Sequence, residues 1–187
     1  MPPILMLFPC SGYLKPMCRF VPAFPPLLWQ PQPDSESHPL AALMQQQSLT
    51  AALKATGATF SVRVLHQGVA DSLWADECLP PEAPAFYARE VQLLLNGEAV
   101  VWARSVCADS AEGWKQVLDC GTQPLGAQLF GGSLAAERSA FTFAQVPAGW
   151  VPDTEVPVWA RHSVFVHQGE VLGLMECFLP AVARFFR

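Results

Sequence analysis

Charge is scarce in this chain, and positive charge scarcer still. Only 14% of the 187 residues are Asp, Glu, Lys or Arg, and 16 acidic residues against 11 basic ones leave a formal charge of −5. Surfaces that track phosphate backbones carry basic stripes and a high pI, so nucleic acid is not an expected partner. No apolar run reaches the roughly 18 residues that would span a bilayer, and membrane insertion is not expected either. Ile4–Phe8 is apolar, but no basic segment precedes it and prolines crowd it, which argues against a cleaved leader. The six cysteines (Cys10, Cys18, Cys78, Cys107, Cys120 and Cys177) form no C-x-x-C pair and no regular framework. Cys107 and Cys177 lie in apolar runs, where a thiol acts as a small hydrophobe. A reducing, cytoplasmic setting fits that usage better than a disulfide scaffold. His38, His66, His162 and His167 are scattered without acidic neighbours at ligand spacing, so no metal site is expected. Nucleophile elbows, Walker loops, dinucleotide fingerprints and H-E-x-x-H are all missing. Gly131-Gly132-Ser133 follows a helical stretch and lacks the lysine of a phosphate loop.

What the chain does have is apolar material, 51% of its residues, in a length suited to one domain that buries about 70% of its unfolded surface. Residues 1–39 are rich in proline, with Pro25-Pro26, Pro31 and Pro33, and Met17 offers an alternative start within them. Proline fixes φ and removes a donor, so this segment is neither regular helix nor central strand. It either drapes over the domain through Phe24, Leu27, Leu28 and Trp29 or forms a loose tail. The domain proper is expected over 40–187.

Leu40–Thr56 has helical spacing (Leu40, Leu43, Met44, Leu49, Leu53), an interruption at Ser48-Leu49-Thr50 that could cap a second helix, and Gly57 as a stop. Phe60–Gln67 alternates, placing Phe60, Val62, Val64 and His66 on one side of a strand. An acidic, proline-bearing loop runs from Asp71 to Pro84. Two hairpins carry most of the information. Tyr87–Leu95 and Glu98–Val106 flank Asn96-Gly97, a strong type I′ signal, and Val158–His167 and Glu170–Cys177 flank Gln168-Gly169, a weaker one. Between them, helices are expected at Ser110–Asp119, capped by Ser110 and stopped near Gly121, and at Thr122–Phe130, capped by Thr122 and stopped by Gly131-Gly132. Tight hairpins with helices as insertions predict an α+β domain built on an antiparallel sheet.

A two-residue turn fixes register, and register decides which side chains meet. Counting from Asn96-Gly97 sets Leu95 against Glu98, Leu93 against Val100, Val91 against Trp102 and Arg89 against Arg104. Two like charges face to face need an anion, and Glu90 points to the other side. Counting from Gln168-Gly169 sets His167 against Glu170 and Arg161 against Glu176. These charges are either structural ion pairs at strand ends or the walls of a cavity for a small molecule with two carboxylates, which guanidinium groups grip in bidentate fashion.

At these residues the sequence resembles the chorismate lyase family. The matching stretches are Gln47–Thr50 (QSLT), Phe60–Gly68 (FSVRVLHQG), Ala88–Val91 (AREV), Val101–Val106 (VWARSV), Thr122–Phe130 (TQPLGAQLF), Val158–Ser163 (VWARHS) and Glu176–Pro180 (ECFLP), in order over about Leu40 to Pro180. The resemblance implies a single antiparallel sheet with helices and two helical flaps over an internal ligand cavity. It implies a lyase that converts chorismate to 4-hydroxybenzoate and pyruvate for ubiquinone biosynthesis, with no metal or cofactor. By resemblance Arg89 grips the ring carboxylate, Glu176 contacts the 4-hydroxyl, Leu49 and Leu125 contact the ligand from the flaps, and Arg104 is a second internal arginine. Arg104, joined by Arg161, is expected at the enolpyruvyl end. Two positions depart from the family pattern: His162, where many relatives have arginine, and Thr142, where an acidic residue is common. Both are expected at the rim.

The competing reading is a non-catalytic domain of the same fold that binds or senses aromatic carboxylates. Ligand-sensing domains of GntR-type regulators share the fold but follow a winged helix, whereas fewer than about forty residues precede the core here. A monomer in the cytoplasm is the expected working form.

Overall fold

The computed structural model describes residues 24–33, 40–77, 79–80, 82–130 and 134–186. Cys10, Cys18, Cys78, His38, Ile4–Phe8, Met17 and the Gly131-Gly132-Ser133 stop lie outside them.

Seven antiparallel strands form one sheet: β1 (Phe60–Val69), β2 (Phe86–Leu95), β3 (Glu98–Ala108), β4 (Glu137–Arg138), β5 (Thr142–Val146), β6 (Val158–His167) and β7 (Glu170–Phe178). Their order is β1-β2-β3-β7-β6-β4, with β5 also on β6. Both hairpins turn where expected. Asn96 and Gly97 have φ of 50° and 81°, and Gln168 and Gly169 have 51° and 82°, the left-handed pair a type I′ turn requires. The sheet is thus two hairpins joined edge to edge through β3 and β7.

The second hairpin keeps the predicted register to its far end, with His167 opposite Glu170 and Arg161 opposite Glu176. The first does not. Leu95 pairs with Glu98 and Leu94 with Ala99, but Leu93 then pairs with Val101, so Val100 is an extra, bulged residue. Its carbonyl is not left bare, because Leu179 N–H donates to it at 3.0 Å. Beyond the bulge every partner is displaced by one, and a one-residue slip exchanges the faces of the strand. Arg89 consequently lies opposite Ser105, and Arg104 lies opposite Glu90. The expected Arg89–Arg104 pair does not form. A second bulge in β1, between Val64 and His66, likewise removes His66 from the Phe60, Val62, Val64 row.

The helices are shorter than the periodicity suggests. The first expected helix is two, α1 (Ala41–Met44) and α2 (Leu49–Ala55), with the Ser48 side chain accepting from Ala51 N–H and Gly57 at φ 78° ending the run. The third, α3 (Glu112–Leu118), has Ala111 rather than Ser110 at its N-cap and no side-chain cap. The fourth, α4 (Leu125–Phe130), starts after Pro124 and not at Thr122. Proline disfavours helical backbone in the residue before it, so Gln123 cannot continue a helix begun at Thr122. Strands β4 and β5 have no counterpart in the sequence reading.

The four α-helices of the described residues lie on one face of the sheet, and a short 3-10 turn (Pro180–Arg184) follows β7. α1 and α2 pack with Val62, Val91, Leu93, Leu95, Val101 and Phe178 at one end. α3 and α4 pack with Cys107, Phe165 and Leu172 at the other. Among the described residues, no α-helix covers the opposite face. Trp74, Trp102, Met175 and Cys177 pack there against Phe24, Leu27 and Trp29 of the leading segment. Gln30 exchanges backbone hydrogen bonds with Phe143 at 2.8 Å in both directions, so residues 24–33 drape over the domain, although Leu28 remains exposed. Gly173 leaves so little room on this face that a Cβ there would sit 2.7 Å from the Glu77 carbonyl oxygen.

Candidate functional site

Between the two helix pairs the sheet is left uncovered by core, and a cavity opens there, with about 570 Å³ of empty space counting the part that meets solvent. Its floor is the strand row Arg89, Val91 and Leu93 of β2, Ala103 and Ser105 of β3, Leu174 and Glu176 of β7, and Arg161 and Ser163 of β6. Leu49 and Thr50 of α2 and Leu125, Gly126 and Leu129 of α4 close over it, and Arg138 and Phe141 wall one side. Leu49 and Leu125 are the first residues of their helices, positions where backbone N–H groups have no partner within the helix.

The two ends are built alike. At one end Arg89, only 2% exposed, donates through Nη2 to the carbonyls of Gly121 at 2.7 Å and Gln123 at 3.2 Å, in the link between α3 and α4. At the other end Arg161, also 2% exposed, donates through Nη1 to the carbonyls of Met44 at 2.9 Å and Gln46 at 2.6 Å, in the link between α1 and α2. Each guanidinium therefore ties the sheet to the helix pair above it.

The ends differ in charge balance. Arg161 Nε donates to Glu176 Oε2 at 2.5 Å. Arg89 makes no ion pair among the described residues, and its Nε is buried without a hydrogen-bond partner. A buried charge of one sign, left partly unsatisfied, is costly unless an anion completes it. Arg89 and Glu176 lie two strands and two residues apart in register, roughly 12 Å between Cα atoms at ordinary sheet spacing.

Of the site residues expected from sequence, Leu49, Arg89, Leu125, Arg161 and Glu176 all line this one cavity. Arg104 does not. The bulge at Val100 turns it to the opposite face, where its Nε donates to Glu77 Oε1 at 2.5 Å, Nη1 to Glu90, and Nη2 to the Ser72 carbonyl at 2.6 Å. It holds the 71–77 segment against the sheet, and burial there pushes the Glu77 carboxyl up against the pull of Arg104. His162 is not at the rim either. It lies buried on that same face, its ring centre 5.5 Å from that of Trp29, and burial lowers its pKa to about 4. Thr142 is its partner across β5 and β6.

Arg138 and Phe141 were not expected. Arg138 Nη1 donates to the Gln47 carbonyl at 2.9 Å and Nη2 to the Gln47 side chain, in the turn ahead of α2. Its guanidinium carbon stands 4.4 Å from the Phe141 ring centre. The Phe141-x-Phe143 alternation was a usable strand cue, but a two-residue strand gives no periodicity, and Arg138 carried no signal of its own. Among the described residues no cluster of His, Cys, Asp or Glu has the geometry to hold a metal ion, and no helix is long and apolar enough to cross a membrane. Cys107 and Cys177 are free and buried, with burial pushing the Cys107 thiol up to about 12.

Comparison with known proteins gives the family. The family model described as chorismate lyase matches residues 25–186. A probable chorismate pyruvate-lyase of Pseudomonas syringae pv. tomato is 36% identical over 148 residues, which is 75% of this chain and 78% of the relative. One from Ralstonia nicotianae is 38% identical over 160 residues, 74% and 79% of the two chains. Among solved structures, PhnF from Mycobacterium smegmatis shares the fold at a TM-score of 0.50 and 17% identity, over 73% of this chain and 65% of that one. With the family match running from the draped segment through both hairpins to the last helical turn, this chain belongs to the chorismate lyase family.

Proposed function

We propose that the chain splits chorismate into 4-hydroxybenzoate and pyruvate inside the cavity between the two helix pairs. One observation carries this reading: Arg89 is a buried cation with no carboxylate partner among the described residues and an unsatisfied Nε, facing a largely apolar cavity. The ring carboxylate of chorismate completes it with a charge-assisted, bidentate contact. The opposite end of the ring then meets Glu176 and Arg161.

In the reaction the bond from ring C3 to the enolpyruvyl oxygen breaks, the hydrogen on C4 is lost, and the ring becomes aromatic while enolpyruvate takes a proton to become pyruvate. Aromatisation supplies the driving force, so the protein's part is positioning and charge stabilisation. Arg161 stabilises negative charge as the ether oxygen departs. Glu176, held by Arg161, orients the 4-hydroxyl and stands where a proton acceptor for C4–H would be needed; direct transfer of that hydrogen to the enolpyruvyl methylene requires no base at all. Backbone N–H groups of Leu49 and Leu125 contact the ligand from above. Arg104 has no part in this chemistry.

The two helix pairs act as flaps, because a ligand lying between Arg89 and Glu176 is covered by α2 and α4. Product therefore leaves only after a flap opens, and release is slow. Within this reading the protein works as a cytoplasmic monomer without metal or cofactor. Residues 40–187 form the lyase domain behind the proline-rich 1–39, and 4-hydroxybenzoate feeds ubiquinone synthesis. The test is direct: purified protein with chorismate should yield 4-hydroxybenzoate and pyruvate in equal amounts. A protein that binds chorismate and returns it unchanged is a carrier or sensor, and the lyase reading fails.

A further inference from the structure

This inference rests on the lyase reading and deepens it. The floor of the cavity is a regular lattice, and strand pairing fixes what lies on each side of the ligand. One row crosses the sheet from Arg89 through Ser105 and Leu174 to Ser163, and the next from Val91 through Ala103 and Glu176 to Arg161. A ligand stretched from Arg89 to Glu176 passes from the first row to the second. The floor on one flank of that line is Val91, Ala103 and, beyond them, Leu93 and Val62, all apolar. On the other flank lie Ser105, Leu174 and Ser163.

The two hydroxyls serve different ends. Ser105 stands opposite Arg89, at the ring-carboxylate end. Ser163 stands past Glu176, on the diagonal between β6 and β7, roughly 7–8 Å away. It points to the same side of β6 as Arg161, two residues along the strand. Ser163 is 2% exposed and lines the cavity, and its hydroxyl has no hydrogen-bond partner among the described residues. A buried hydroxyl without a partner is costly, and alanine would fill the same place in the floor without that cost. Chorismate carries its enolpyruvyl ether on the ring carbon next to the 4-hydroxyl, so this arm leaves the para end sideways. Laid on the apolar flank, its carboxylate would be buried without a partner from the floor. Laid on the other flank, it passes over Leu174 and meets the Ser163 hydroxyl, a donor suited to a short, charge-assisted bond.

We propose that Ser163 donates its hydroxyl to the enolpyruvyl carboxylate of chorismate, which sets the arm on the β6 side, and that this contact distinguishes substrate from product. 4-Hydroxybenzoate has no second carboxylate and leaves Ser163 untouched.

The test uses the full chain carrying Ser163→Ala, with chorismate turnover and 4-hydroxybenzoate affinity measured side by side, the latter by calorimetry. The expected result is a split. For chorismate, kcat/KM falls about tenfold, as for one lost hydrogen bond to a charged group, while 4-hydroxybenzoate binds within about twofold of the parent. Parallel weakening of both ligands would mean that Ser163 only shapes the floor, and unchanged chorismate kinetics would mean that the arm lies elsewhere; either overturns the proposal. Retained product binding also reports a folded cavity. Should Ser163→Ala not fold, Ser163→Cys separates the same outcomes, because it nearly keeps the size and replaces a strong donor by a weak one. For chorismate, kcat/KM should then fall several-fold with product affinity unmoved, and an unmoved kcat/KM sinks the idea. An inactive parent would instead refute the lyase reading, and equilibrium titration of chorismate and 4-hydroxybenzoate would still test Ser163 by the same split.

Discussion

The two faces of the sheet handle buried arginine in opposite ways. On the back, Arg104 has two carboxylates, Glu77 and Glu90, and a backbone carbonyl within reach. On the front, Arg89 has carbonyls only and an orphaned Nε. Both guanidinium groups are almost fully enclosed, so burial alone does not mark a functional cation. What marks it is the missing counter-charge. On the back the pairing of Arg104 accounts for its burial, whereas the unpaired charge of Arg89 is what the proposed carboxylate would complete.

That contrast can be broken at either face. Arg89→Ala should have the largest effect, lowering kcat/KM by about a thousandfold or more, as expected when a desolvated charge contact worth roughly 4 kcal/mol is removed, while far-UV circular dichroism and the melting curve stay near the parent. Glu77→Ala should do the reverse. It leaves Arg104 with the more exposed Glu90 as its remaining carboxylate and removes the acceptor of Trp74 N–H, and should cost about 2–3 kcal/mol of stability in urea titration, with turnover per folded molecule within threefold of the parent. A variant in which Glu77→Ala abolished turnover but left stability intact would erase the distinction between the faces.

The third measurement is the pH dependence of stability. His162 has its pKa depressed to about 4 by burial, against an ordinary value near 6.5 in the unfolded chain. Below pH 6.5 the unfolded state binds a proton that the folded state refuses, so stability falls as pH drops toward 4, by roughly 3 kcal/mol for this one group. His162→Phe should flatten that part of the urea-midpoint profile without altering the pH dependence of kcat, since His162 is on the back. The smallest effect is expected from Ser48→Ala, which removes the α2 cap bond to Ala51 N–H. It should lower stability by about 1 kcal/mol and, by loosening the roof at Leu49, speed 4-hydroxybenzoate release in a stopped-flow displacement assay.

The hairpins, the α+β class, the antiparallel sheet and the family could be read from the residues, because Asn96-Gly97 and Gln168-Gly169 announce themselves through turn chemistry. Arg161 opposite Glu176 followed from counting, since no irregularity intervenes in that hairpin. The same counting failed at Arg104. A bulge such as that at Val100 is settled by what receives its carbonyl, here Leu179 N–H, and that partner lies some eighty residues away in sequence. Family resemblance did not rescue the count, because a matching position says that an arginine is internal without saying to which face. Arg138 was invisible for a different reason: strand β4 exists only through its pairing with β6, a tertiary fact. The short helices were misjudged at their starts because Pro124 and Ala111, not the nearest hydroxyl side chains, set where helical backbone begins.

Gly173 sits three residues before Glu176 on the same strand, and its bare Cα accepts the Glu77 carbonyl where any other residue would collide. The back of β7 thus lies directly against the main chain of the loop behind it, with no side chain as padding. Thickening that seam by even one methyl group would push the loop outward or bow the strand. Either way, the damage would be inflicted from behind on the segment that presents Glu176 to the cavity.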